Sequence, residues 1–109
     1  MRYTVKLTDD AAQDLAELYD FVAEHDSLKS AERLLDNIEQ AIESLALFPE
    51  RGSVPKELLT LGIREYRQTF FKPYRLIYRT VGEIVYVQLI ADGRRDTVSL
   101  LARRMLGFR

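Results

Sequence analysis

Gly62-Ile-Arg-Glu-Tyr66-Arg-Gln-Thr-Phe-Phe71-Lys-Pro-Tyr74-Arg-Leu-Ile-Tyr78-Arg-Thr-Val-Gly82-Glu-Ile84-Val-Tyr-Val-Gln-Leu-Ile-Ala91-Asp-Gly-Arg-Arg-Asp96 is the stretch that decides the fold. Between Tyr74 and Thr80 the side chains alternate. Tyr74, Leu76 and Tyr78 share one face, and Arg75, Ile77 and Arg79 share the other, the period of a strand. Ile84 to Ala91 is almost wholly apolar and rich in β-branched residues, which predicts a central strand covered on both faces. The turn at Val81-Gly82 joins the two as a hairpin. Upstream, Ile63 to Phe70 reads as another strand, broken from the next by Lys72-Pro73, because proline is confined to strand starts and edges. Downstream, Asp92-Gly93-Arg94-Arg95-Asp96 is a basic turn.

Working outward, Arg2 to Leu7 alternates as a short first strand. Thr8 is a helix N-cap, with Asp9 and Asp10 where the helix dipole favours acids. The helix runs to about His25 on the stripe Ala11, Leu15, Leu18, Tyr19 and Val22. Asp14, Glu17, Asp20 and Glu24 mark its wet side. After Asp26-Ser27 a second helix spans Leu28 to Leu47, with the stripe Ala31, Leu34, Leu35, Ile38, Ile42 and Leu45. A connection this short makes the pair an antiparallel hairpin. Phe48-Pro49 ends it. Val54 to Gly62 is a linker with one helical turn, and Thr97 to Met105 is a short C-terminal helix. The order predicts one α+β domain over residues 1–109, with two layers. An αα-hairpin packs on a mostly antiparallel sheet of three to four strands.

The chain has 109 residues, 47% hydrophobic and 30% charged, as in an ordinary globule. Without cysteine, and with one histidine, it excludes disulfides, thiolate nucleophiles and multi-His metal sites; no metal or cofactor is expected. No apolar run approaches a membrane span, and no signal-like segment precedes the first helix, so a cytoplasmic location is expected. Charge is uneven. Residues 1–60 hold 6 Lys+Arg against 13 Asp+Glu, and residues 61–109 hold 10 against 4. The pI of about 5.8 argues weakly against a protein built to sit on bulk RNA. A local basic patch of Arg64, Arg67, Arg75, Arg79, Arg94 and Arg95 could bind a phosphate backbone or an acidic protein, or be a solvated face. Arg103 and Arg104 either extend that patch or complement a helix dipole.

Together these pieces resemble the RelE/ParE superfamily of bacterial toxins. The resemblance rests on Ala12-x-Asp14-Leu15, on Ala31, and on Leu45 with Phe48-Pro49 and Gly52. It continues through Arg64, Tyr74-Arg75-x-x-Tyr78, and Gly93-Arg94-Arg95-Asp96 followed by Leu100-Leu101. The long helical hairpin and the Asp14-Leu15 and Pro49…Gly52 signatures are more similar to the ParE branch. The resemblance implies a type II toxin that inhibits DNA gyrase without being an enzyme. It also implies a ParD-like antitoxin encoded in the same operon, through which the pair meets DNA. An extended antitoxin segment would add to a sheet edge, and a helix would fill a groove for which Leu18, Val22, Leu35 and Ile38 are candidates.

The alternative branch, RelE-like, cuts mRNA on the ribosome and needs a base, an acid and phosphate-binding cations. His25 ends the first helix, far in sequence from the arginines. The family's histidine position is Asp92 here, which could serve as a base but would repel phosphate. Arginine transfers protons poorly. The aromatics Tyr66, Tyr74, Tyr78, Tyr86, Phe70 and Phe71 could stack on bases, but strand core accounts for most of them.

Overall fold

The computed structural model describes residues 2–93 and 96–105. Its elements are β1 (Thr4–Leu7), α1 (Asp9–His25), α2 (Leu28–Leu47), α3 (Lys56–Thr60), β2 (Tyr66–Phe71), β3 (Tyr74–Val81), β4 (Ile84–Asp92) and α4 (Thr97–Met105). The Thr8 hydroxyl accepts the first-turn amide of Ala11 at 3.2 Å and donates to the Val87 carbonyl at 3.2 Å, so one residue caps α1 and ties it to β4. Ser27 caps α2 in the same way, accepting from Ser30 N at 3.0 Å. Asp96 takes that role for α4.

The four strands lie in the order β1-β4-β3-β2. β2, β3 and β4 form an antiparallel meander, and β1 pairs parallel to β4. The sheet is therefore mixed, with β4 central as its apolar run implied. Parallel pairing is possible because the whole helical hairpin lies in the crossover from β1 back to the sheet. Gly82, at φ 61°, makes the β3–β4 turn without the strain a side chain would bring. Register shifts at Ile77/Tyr78, which face Leu89 and Val87, so Gln88 is the extra residue of a bulge.

One sheet face carries Leu76, Tyr78, Val85, Val87 and Ile90 against Ala11, Leu34, Ile38 and Leu45 of the hairpin. The other carries Tyr66, Ile77, Leu89 and Ala91, covered by Leu58 of α3 and Leu101 of α4. Thus the helical layer expected on one face is joined by a thin partial layer on the other. Two strand starts differ from the sequence reading. β2 begins at Tyr66, because Ile63 instead donates its amide to the Leu58 carbonyl at 2.9 Å and packs on the second cluster. β1 begins at Thr4, because Tyr3 N is drawn to the Ala46 carbonyl at 2.7 Å.

The loop after α2 is anchored from the core. Tyr78, fully buried, donates its hydroxyl to the Pro49 carbonyl at 2.7 Å and accepts from Gly52 N at 3.2 Å. A Cβ on Gly52 would collide with that hydroxyl and with the Gln68 carbonyl. This is the physical content of the Pro49…Gly52 and Tyr74-Arg75-x-x-Tyr78 signatures.

Candidate interaction surfaces

The arginines do not form one patch, because three of them are structural. Arg75 is only 6% exposed. It donates to Gln68 Oε1 at 2.5 Å and, through both terminal nitrogens, to the Glu57 carboxylate at 3.2 Å each. It joins β3 to β2 and α3. In return its hydrogen bonds hold the Glu57 carboxyl below its ordinary pKa. Arg67 reaches the Gly52 and Glu50 carbonyls at 2.7 and 3.3 Å and so pins the same loop as Tyr78.

Arg104 of α4 holds Asp14 with two short bonds, 2.6 and 2.8 Å, and also donates to the Gln88 carbonyl at 2.8 Å. Asp14 Oδ2 accepts Ile90 N at 2.9 Å. The bulge turns these two backbone groups toward the pair. Hydrogen bonding to Asp14 raises the Arg104 pKa above its ordinary value. Asp14 is therefore not a wet-side residue of α1. Helical periodicity could not separate it from Glu17, although the Ala12-x-Asp14-Leu15 signature carries the signal.

Arg64, Arg79 and Arg103 remain exposed. Arg94 and Arg95 lie outside the described residues. Of the aromatics, Tyr66 and Tyr78 are core, Phe71 and Tyr74 pack beside it, and Phe70 faces solvent.

The expected antitoxin groove also divides. Ile38 is 1% exposed and belongs to the interior, since its face of α2 points at the sheet. Leu18 and Val22 are half-buried against the same core, and Leu35 is half-buried. The large apolar side chains that the hairpin shows to solvent are Phe21 and Leu28, each 59% exposed, with Leu47 at its far end. The His25 ring stacks on Phe21 at 4.2 Å, with Nδ1 3.0 Å from the Phe21 carbonyl, on the hairpin rather than beside the arginines.

Two concavities lie against the helical hairpin. A groove of about 430 Å³ at the end of α2 is lined by Tyr3, Leu47, Phe48, Pro49, Glu50 and Arg51. The Arg51 guanidinium lies 4.3 Å over the Phe48 ring there. A second, of about 200 Å³, lies between α1 and the end of β4, lined by Asp14, Glu17, Leu18, Phe21, Ile90, Ala91 and Asp92. Asp92 thus sits among carboxylates and opposite Tyr74, whose hydroxyl pKa is raised by burial and by the Asp92 charge. Among the described residues, no group of three His, Cys, Asp or Glu is placed to hold a metal ion.

The family described as "ParE toxin of type II toxin-antitoxin system, parDE" matches residues 5–97. The chain belongs to the ParE toxin family. Toxin ParE3 of Caulobacter vibrioides is 31% identical over 91 residues, covering 84% of this chain and 87% of that protein. A chain of the chromosomal ParDE system of P. aeruginosa superposes with a TM-score of 0.69 at 20% identity, over 84% of this chain and 96% of that one. A chain of the RelBE2 toxin–antitoxin complex of Mycobacterium tuberculosis does so at 0.59 and 23% identity, over 84% and 99%. These two structural likenesses establish the shared fold. The ParE family assignment makes the chain a type II toxin, and it turns the Pro49…Gly52 anchor and the Asp14 signature into features of a ParE-like scaffold.

Proposed function

We propose that this ParE-family toxin inhibits DNA gyrase by binding it, acts in the cytoplasm, and is neutralised by a cognate, ParD-like antitoxin encoded beside it. The observation that carries the reading is the use of the arginines. Arg75, Arg67 and Arg104 are spent on Glu57, on loop carbonyls and on Asp14, and Asp92 lies beside Asp14 and Glu17. A phosphate approaching Asp92 meets negative charge, which opposes catalysis on RNA at that position. In this reading the exposed Arg64, Arg79 and Arg103, together with Arg94 and Arg95, are separate candidate target contacts, with Arg79 at the opposite end of β3 from the Tyr74–Asp92 pair.

Purified gyrase supplies the test. Loss of supercoiling, or trapped cleaved DNA, at stoichiometric toxin supports the reading. An unaffected gyrase with folded toxin overturns it and moves the weight to ribosome-dependent mRNA cleavage, with Asp92→Asn as the next variant. These contacts are tested separately: Arg94→Ala with Arg95→Ala is expected to abolish growth arrest while leaving the circular dichroism spectrum intact. Full toxicity in that double variant removes the two residues from the candidates.

A further inference from the structure

Leu101 and Arg104, one turn apart on α4, both face inward. Leu101 enters the second core cluster, and Arg104 reaches Asp14 of α1 and the Gln88 carbonyl of β4. Arg103 is the next-door neighbour of Arg104, about 100° round the helix. It is exposed and also interacts within the chain. At the other end of α4, Asp96 accepts Ser99 N at 3.1 Å and the Ser99 hydroxyl at 2.7 Å.

The two inward anchors differ in kind. A nine-residue helix has little stability of its own, so packing decides where it sits. The Leu101 contact is apolar and has no direction, so by itself it lets α4 roll about its axis. The Arg104 fork is directional. Its terminal nitrogens meet the two Asp14 oxygens at 2.6 and 2.8 Å and the Gln88 carbonyl at 2.8 Å, and its Nε lies 3.9 Å from Asp10. These acceptors are themselves fixed to β4, since Asp14 takes Ile90 N at 2.9 Å and Gln88 is the extra residue of the bulge. A well-packed apolar pair would hold α4 at least as strongly. What the ion pair adds is an angle: a roll by one residue's arc would swing Arg103 through about 100°.

We propose that the Asp14–Arg104 pair is a positioning device for target binding: it fixes the roll of α4 and so aims Arg103 at the toxin's target. The inference rests on the reading that the toxin acts by binding a target through exposed arginines. Asp14 and Arg104 are then positioning residues, and Arg103 is the contact. Two adjacent arginines that look equivalent in the sequence divide the work, one touching the target and the other setting the direction of its neighbour.

The test measures the concentration of full-length toxin that half-inhibits gyrase supercoiling, and the growth arrest each variant causes on expression. Every variant is assayed where circular dichroism shows it folded. Arg103→Ala raises the half-inhibiting concentration about tenfold. Arg104→Met, which keeps the apolar stem and removes the fork, raises it about tenfold too, and Asp14→Asn, the milder change, raises it in the same direction. Ile38→Ala, a stability loss on the other face of the sheet, leaves it within about twofold. The double variant Arg103→Ala with Arg104→Met is no more than about twofold worse than the worse single variant, because a helix without its contact has nothing to aim. Independent effects, multiplying to about a hundredfold, overturn the inference. So does an Arg104→Met toxin as potent as wild type, or an Ile38→Ala toxin as impaired as Arg104→Met, which would make stability the cause. Wild-type toxin that arrests growth and spares gyrase overturns the gyrase reading alone, and the ranking of the same variants by growth arrest then decides the inference. Wild-type toxin that does neither overturns both.

Discussion

Arg104 and Asp14 meet side chain to side chain at 2.6 and 2.8 Å although 90 residues separate them, and the same carboxylate accepts the backbone of β4 at Ile90. One acid therefore fastens the first helix, the last helix and the central strand. Both side chains are largely withdrawn from water, so removing one strands the other.

Arg104→Ala is expected to lower folding stability by about 3 kcal/mol, the cost of leaving a part-buried charge without its partner. Asp14→Asn, which keeps the Ile90 hydrogen bond but loses the charge, is expected to cost less. Urea denaturation gives both numbers. Hydrogen exchange should show α4 loosened before the rest of the fold in Arg104→Ala. Equal protection of α4 in wild type and variant counts against the clasp.

Glu57 gives a pH signature. Arg75 holds its folded pKa below the ordinary 4.5, so the folded state binds fewer protons than the unfolded one near that pH. The stabilisation is complete above pH 4.5 and is lost as pH falls through the lower folded value. Glu57 is partly exposed, so screening by water keeps the effect modest. Glu57→Gln should flatten the acid limb of the stability curve; an unchanged limb disconnects the pair from acid unfolding.

Gly52→Ala is expected to destabilise by about 2 kcal/mol or more, since the added carbon meets the Tyr78 hydroxyl and a backbone carbonyl in a packed site. Tyr78→Phe removes that hydroxyl and leaves the Pro49 carbonyl and Gly52 amide unpaired, at about 1–3 kcal/mol. In the double variant the two losses should be less than additive, because the hydroxyl is the obstacle to the new methyl. Strict additivity in thermal unfolding refutes the shared cause.

Ile38→Ala should cost about 2–5 kcal/mol, as for other fully enclosed aliphatic residues. Phe21→Ala, on the surface, should cost about 0.5 kcal/mol. A small loss at Ile38 would return it to the list of groove residues.

Much of this architecture was legible in the sequence because each element carries a period. The alternation from Tyr74 to Thr80 sorts Leu76 and Tyr78 from Ile77, and the two core clusters divide along that line. The apolar run from Ile84 announces the central strand, and Thr8 caps the helix it should. Pairing over distance left no such trace. Nothing local says that β1 would run parallel to β4, that Gln88 would bulge, or that Arg75 would be enclosed by a helix from the linker. Arginine on a strand reads as solvated until a carboxylate from elsewhere is placed against it. The same blindness grouped candidate contacts such as Arg64 and Arg79 with structural arginines, and it put Ile38 in a groove that the sheet had already filled.

The parallel pairing of β1 with β4 also orders events on the ribosome. β1 leaves the exit tunnel first, yet its hydrogen-bonding neighbour, Ile84–Val87, comes eighty residues later. Until then the opening strand lacks its sheet neighbour, and the helical hairpin has only the β2–β3 part of the sheet to rest on. The central strand is the last of the four to be synthesised, so the sheet closes late. A nascent chain stalled before Ile84 should be open to protease throughout, whereas one stalled far enough past Asp92 for that strand to clear the tunnel should resist it. On this account the four-stranded sheet exists only once the last strand has emerged.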